Sequence, residues 1–211
     1  SFNSLKLANL IVGHEPDASV LIVSVELCTL HLQNLSDTDN LLANSLFSDG
    51  AAAVLVESKP GDKGFELVNF HSDLSLGAKK EMEWDISESG FLMTLSVNIP
   101  SIIKKEIKAL TDKLLKKINL PLDAIDFYAI HPGGRRILEV IREELGFEEE
   151  QNRFAFHVLK NYGNMSSSTI LFVLNELLQH VGAKDHQKNV LSFAFGPGLT
   201  MESALLRISA K

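Results

Sequence analysis

The sequence predicts a layered α/β protein. Continuous apolar, β-branched runs such as "ASVLIVSVEL" (18–27) and "AAAVLVES" (51–58) have the character of strands buried on both faces. Segments with helical apolar spacing lie between such runs, and the alternation implies helices packed on sheets. The length of 211 residues suits one large domain, or one domain with part of another.

Residues 2–13 place Leu5, Leu7, Ala8, Leu10, Ile11 and Val12 close to helical spacing, and strand 18–27 follows. "ESKPGDKG" (57–64), with Pro, two Gly and mixed charge, is the linker candidate, dividing 1–60 from 61–211. Beyond it "GFELVNFHSDLS" and "ESGFLMTLSV" read as strands, the first alternating Phe65, Leu67 and Asn69. "PSIIKKEIKALTDKLLKKI" (100–118) is an amphipathic helix with Pro near its first turn and lysines on its solvent face. A strand at 126–130, helices at 134–145, 149–161 and 166–180, and strands at 189–195 and 200–208 complete the chain. A faint repeat joins the two ends: "SFNSLKLANLI" leads into "SVLIVSVEL" much as "SSSTILFVLNELL" leads into "NVLSFAF".

Composition narrows the function. Apolar residues at 45% and charged residues at 22% are those of a globular protein with a sizeable core. A net charge of −7 argues against general binding to nucleic acid or to anionic membranes. The longest apolar runs fall well short of the roughly 18–20 residues that a bilayer span requires. The single cysteine, Cys28, excludes an intrachain disulfide framework and fits a cytoplasmic setting. Cys28-x-x-His31 lacks the second ligand pair of a zinc site, and phosphate-loop and dinucleotide fingerprints are absent. No metal or cofactor is expected.

Four stretches could carry chemistry. In "AIHPGGRRILE", strand 126–130 delivers His131 to a Gly turn that feeds a helix; strand ends of this kind favour sites in open α/β sheets, although a plain histidine beneath a turn reads the same way. Asn164 in "NYGNMSSSTI" stands immediately before a helix, where a capping role is the simplest reading. "AFGPGLTMES" joins two strands through Gly196-Pro197-Gly198, which a tight turn alone would explain. "FSDGAAAVLV" runs from Phe47 into a buried strand.

Together "HPGG", "YGNMSS", "FGPGLT" and "F-x-DGAAA" after an S-D-T segment resemble, in order and spacing, the type III polyketide synthases. This is the chalcone-synthase-like group with the thiolase-like α-β-α fold. The resemblance implies a Cys-His-Asn triad in which His131 and Asn164 match the His and Asn. The matching nucleophilic Cys would fall about three residues before Ser1. The start, without Met and reading as a helix already under way, is therefore expected to be that of a truncated chain: a complete C-terminal half plus the tail of an N-terminal half. Such a piece should be inactive in condensation.

Further matches imply a substrate pocket lined by Phe47, Cys28, His31, Met93, Gly196, Pro197 and Gly198. Met93 stands where the plant enzymes usually carry Phe, and Cys28 and His31 where they often carry Thr, which points away from plant flavonoid-type substrates. Arg135 and Arg136 oppose the helix dipole at the first turn of "GGRRILEVIREEL", a cost of about 0.3–1 kcal/mol each. Glu139 and Glu143, one turn on, could offset it; the sharper expectation is contact with a coenzyme A phosphate. The implied activity is decarboxylative Claisen condensation of malonyl-CoA onto an acyl-CoA starter, by a cytoplasmic homodimer that uses coenzyme A thioesters and no cofactor. The competing readings are a ketoacyl synthase III-like fatty-acid enzyme and a non-catalytic binding protein of the same fold.

Overall fold

The computed structural model describes residues 1–32, 38–87 and 90–210. Helix α1 (Phe2–His14) buries Phe2, Leu5, Ala8 and Val12, a single stripe at helical spacing. It leads into strand β1 (Ser19–Glu26), which pairs antiparallel with β2 (Gly50–Glu57) from Ser19↔Glu57 to Glu26↔Gly50. Between them helix α2 (Thr38–Leu46) intervenes.

A four-stranded sheet forms the second body of strands. It contains β3 (Lys63–Leu74), β6 (Phe127–Ile130), β7 (Asn189–Gly196) and β8 (Thr200–Ala210), in the spatial order β3-β8-β7-β6. Only β6 and β7 run parallel. Strands β4 (Met82–Ser87) and β5 (Gly90–Leu95) make a separate antiparallel ribbon. Helices α3 (Ile99–Lys116), α4 (Arg135–Leu145), α5 (Arg153–Tyr162) and α6 (Thr169–His180) complete the chain.

The layering follows from the packing. Helix α1 touches β1, β2 and β8, while α6 touches β2 and β6, so these two helices lie between the β1–β2 ribbon and the larger sheet. Helix α3 packs on β3 and β8 with α4 beside it. Its Ile103, Ile107, Leu110 and Leu114, spaced three or four apart, are fully buried, and its lysines face solvent.

The structure departs from the sequence reading at several elements. Strand β1 is covered on one face only: Ile22 and Ser24 are buried, whereas Leu21, Val23 and Val25 are 64%, 61% and 58% exposed. The layer packed on the ribbon, α1 and α6, meets its inner face alone. The alternation expected of Phe65, Leu67 and Asn69 is broken by a bulge, since Leu67 pairs with Leu206 and Asn69 with Leu205, leaving Val68 extra. The expected helices at 149–161 and 166–180 each begin with a short 3-10 turn, Glu149–Asn152 and Ser166–Ser168.

Sequence reasoning missed α2 and β4. Asn, Asp and Ser weaken the helical pattern of 38–46 by offering the backbone local hydrogen bonds. Strand β4, in contrast, alternates Met82, Trp84 and Ile86 with charged residues, a strand signal that was there to be read. Of the expected strand 88–97, residues 88 and 89 lie outside the described residues, as do 36 and 37 of the S-D-T segment.

The central role of the α3 stripe makes a direct prediction. Ile107→Ala should destabilise the protein by about 2–5 kcal/mol in urea denaturation, through lost burial plus the cavity left behind. Lys108→Ala, on the exposed face of the same helix, should stay within about 0.5 kcal/mol of the parent.

Candidate active site

His131 stands at the exit of β6. Its N–H donates to the Phe193 carbonyl at 2.8 Å, which extends the β6–β7 pairing by one residue, and the Gly133 N–H closes the turn onto the His131 carbonyl at 2.9 Å. The backbone is thus fixed on both sides of the imidazole, and the residue is buried. Burial first, and the nearby Ser1 amino group second, push its pKa down from 6.5 to about 4. The ring is neutral at pH 7 and carries one N–H for donation.

Asn164 reaches the same place from the other side. Helix α5 ends at Tyr162, and Gly163 adopts φ 74, a left-handed conformation that favours glycine. A Cβ there would also lie 2.9 Å from Ser48 Oγ and 3.2 Å from the Leu46 carbonyl oxygen. The close approach lets Asn164 bridge to Phe47: its N–H donates to the Leu46 carbonyl and its carbonyl accepts from Ser48 N–H, both at 2.9 Å. Asn164 Oδ1 accepts the Ser166 N–H at 2.9 Å and the Thr169 hydroxyl at 3.4 Å. The capping reading is therefore right in part, for the 3-10 turn rather than for α6 itself. Because Oδ1 serves the turn, the donor end of the amide, Nδ2, is the end left for other work.

His131, Asn164, Phe47, Met93, Gly196 and Pro197 line one cavity of about 290 Å³, with Ser1 at its edge. Its wall is mostly apolar, and Met82 and Phe195 add to it. A larger cleft of about 1190 Å³ runs between β2, β3 and α6, but it contains neither His131 nor Asn164. Chemistry, not size, selects the smaller cavity. Among the described residues no cluster of three His, Cys, Asp or Glu could hold a metal ion, and no helix is long and apolar enough to cross a membrane.

Five expected site residues lie outside that lining. Strand β1 stops at Glu26, and Cys28 and His31 occupy a 3-10 turn rather than the strand end. Thr29 ties that turn to the Asp49 carboxylate through its N–H (2.8 Å) and hydroxyl (2.7 Å), away from the cavity. Cys28 is half-buried there; burial, then Glu26 and Asp49, raise its thiol pKa, the reverse of what a nucleophile needs. Gly198, at the tip of the β7–β8 hairpin, donates its N–H to the Met82 carbonyl at 3.1 Å. Arg135 and Arg136 are exposed on α4 and paired with carboxylates: Arg135 with Glu139 at 2.9 Å, Arg136 with Glu139 at 3.3 Å and with Glu143 at 3.0 Å. These pairs are the offset to the helix dipole that the sequence allows.

Residues 66–209 match the family model for the C-terminal domain of chalcone and stilbene synthases. The chain belongs to this family. A chalcone-synthase-like protein of Bacillus subtilis (strain 168) is 33% identical over 198 residues, covering 90% of this chain and 54% of that protein. Three solved structures superpose closely. The C-terminal type III polyketide synthase domain of Steely1 from Dictyostelium is 31% identical, covering 98% of this chain and 58% of that one, with a TM-score of 0.89. PKS-I of the brown alga Ectocarpus siliculosus is 33% identical, covering 98% and 57%, with a TM-score of 0.90. The bacterial type III synthase making 1,3,6,8-tetrahydroxynaphthalene in Streptomyces coelicolor A3(2) is 30% identical, covering 99% and 60%, with a TM-score of 0.91. The thiolase-like α/β fold expected from the motifs is the fold of this chalcone-synthase relative, which spans between half and two thirds of the length of these four chains.

Several residues that shape the site escaped the sequence reading. Gly50, opening β2, faces Met165: a Cβ there would sit 2.5 Å from the Met165 sulfur and 2.7 Å from its Cβ. Ser24 and Glu26 on β1 hold Ser167, and Lys6 holds Glu202 in the cavity wall. The signal was present in β1, where a buried Ser interrupts the apolar members of the inner face.

Two outcomes follow. An NMR titration should show the His131 ring staying neutral until the pH approaches about 4, whereas a midpoint near 6.5 would contradict its burial. The unfolded chain binds a proton between those values that the folded chain refuses, so this contribution to stability is full above pH 6.5 and lost as the pH falls toward 4. Gly50→Ala should cost about 1–3 kcal/mol by overpacking against Met165, measurable as a lowered urea midpoint. Gly61→Ala, with open space around it, should not.

Proposed function

We propose that the cavity is the oxyanion site of a type III polyketide synthase acting on malonyl-CoA. The observation that carries this reading is that a buried neutral imidazole and the donor end of an oriented amide line one apolar-walled cavity. The bond between the malonyl α-carbon and its carboxylate breaks, CO₂ leaves, and the electron pair moves through the α-carbon to the thioester oxygen. His131 N–H and Asn164 Nδ2–H donate to that oxygen as its charge develops. Such preorganised donors are typically worth about 2.7–4 kcal/mol each.

Phe47 supplies an apolar wall that disfavours the charged carboxylate relative to neutral CO₂. The enolate carbon then attacks the carbonyl of a starter acyl thioester, a carbon–carbon bond forms, and the thiolate leaves. Cys28 does not line the cavity and its thiol pKa is raised, so the acyl-carrying cysteine in this proposal is not among residues 1–211. The substrates are coenzyme A thioesters. Arg135 and Arg136 would take part only by exchanging a carboxylate partner for a coenzyme A phosphate.

The complete protein provides the test. His131→Ala and Asn164→Ala should each lower kcat for CO₂ release from malonyl-CoA by about 10²–10³-fold. Cys28→Ser should leave condensation with hexanoyl-CoA intact. Replacing Arg135 and Arg136 together by Ala should raise KM for malonyl-CoA if they reach its phosphates; an unchanged KM removes them from the site. Undiminished CO₂ release by both the His131 and the Asn164 variants would reject the oxyanion reading.

A further inference from the structure

Asn164 is aimed by a turn held only partly from within, where the Ser168 hydroxyl donates to the Met165 carbonyl at 2.8 Å and the Thr169 hydroxyl to the Ser166 carbonyl at 2.9 Å. Ser166, two residues on, has φ 50, a left-handed conformation that a serine keeps only when its surroundings enforce it. Its N–H gives Asn164 Oδ1 the shorter of its two bonds, 2.9 Å against 3.4 Å from the Thr169 hydroxyl. Whatever holds Ser166 therefore helps to set which end of the Asn164 amide faces the cavity.

A further restraint comes from β1, through the next residue. Glu26 Oε1 accepts the Ser167 N–H at 3.3 Å and also the Ser167 hydroxyl. Since Ser167 donates its hydroxyl proton to Glu26, the Ser24 hydroxyl, 2.6 Å away, donates to Ser167 Oγ. The Ser1 hydroxyl donates to the Ser167 carbonyl. Every polar group of Ser167 is thus engaged by β1 or by Ser1, which precedes α1, and Glu26 takes two of them. Glu26 itself does not line the cavity, so it acts through the turn and not on substrate.

We infer that Glu26 is a positioning residue: by gripping Ser167 it keeps Ser166 left-handed and the Asn164 Nδ2 donor aimed into the cavity. Without Glu26, Ser166 can relax to a right-handed conformation, its N–H leaves Asn164 Oδ1, and the amide keeps only the longer bond from the Thr169 hydroxyl. This inference rests on the proposed oxyanion role of Asn164. It assigns to β1 a part in the reaction that no residue type or spacing in the sequence announces.

The test is CO₂ release from malonyl-CoA by the complete protein, with kcat and KM separated. Glu26→Ala should lower kcat by about 10–100-fold, the scale of a misplaced catalytic group, with KM nearly unchanged. Glu26→Gln keeps an oxygen that accepts both Ser167 bonds and should recover most of that rate. In the double variant, Glu26→Ala should add nothing to the loss already caused by Asn164→Ala, because both act on one donor. Ser167→Ala removes the hydroxyl part of the grip, leaves the longer N–H bond to Glu26, and should reproduce much of the kcat loss; it decides the matter if the Glu26→Ala protein fails to fold.

If Asn164→Ala is slow but Glu26→Ala and Ser167→Ala keep the parental kcat, the positioning role is wrong and the oxyanion role stands. Multiplicative losses in the double variant would likewise reduce Glu26 to a structural part. If Asn164→Ala itself keeps the parental kcat, the oxyanion role fails and this inference with it.

Discussion

The site depends on one turn, Gly163 to Ser168, being held against the β1–β2 ribbon. From one side the loop at Leu46 to Ser48 pairs with Asn164 backbone to backbone, and Gly50 gives way to Met165. From the neighbouring strand of the same ribbon, Ser24 and Glu26 hold Ser167. A loop of this kind carries backbone polar groups that must find partners once buried, and here they find them partly in the ribbon and partly in the turn and the start of α6. The same bonds that satisfy the turn also join the ribbon to the connection between α5 and α6, so the geometry of Asn164 and the docking of the ribbon are one constraint.

Burial decides what each histidine and arginine near the site can do. His131, enclosed by β6, β7 and the Gly turn, loses its proton and keeps a single directed N–H. A neutral donor suits a developing enolate, since it stabilises charge without adding a fixed cation that would also hold the starting carboxylate. A thiolate placed beside it would push its pKa back up, so the same ring could serve as either a neutral donor or a cationic partner depending on its neighbour. Arg135 and Arg136 sit only a few residues further along but on the exposed side of α4, where Glu139 and Glu143 neutralise them. Exposed pairs of this kind are worth little and exchange readily, unlike the fixed backbone bonds around His131.

Most of the fold was legible because it rests on local periodicity: α3, α4, β7 and β8 all lie within a residue or two of where apolar spacing puts them. Where reading failed, tertiary contact had overridden or hidden the pattern. The apolar run of β1 looks doubly buried, yet only one face meets α1 and α6. Helix α2 is built from residues with weak helical preference. Near the cavity, the places of His131 at a strand exit and Asn164 before a helix were legible, because each sits at an element end with a glycine within two residues. Cys28 and His31 were misplaced because Thr29 folds their turn onto Asp49, an interaction between residues twenty apart that no spacing rule contains. Glu26 and Ser167, 141 residues apart, were hidden for the same reason.

The central claim is that two donors from separate elements share one oxygen. It is tested most directly by a crystal structure of the complete protein with a malonyl-CoA analogue that cannot lose CO₂. The account predicts the thioester oxygen within roughly 2.7–3.1 Å of both a ring nitrogen of His131 and Nδ2 of Asn164. An analogue bound with its thioester oxygen on neither group, or with Asn164 presenting Oδ1 toward it, would contradict the account.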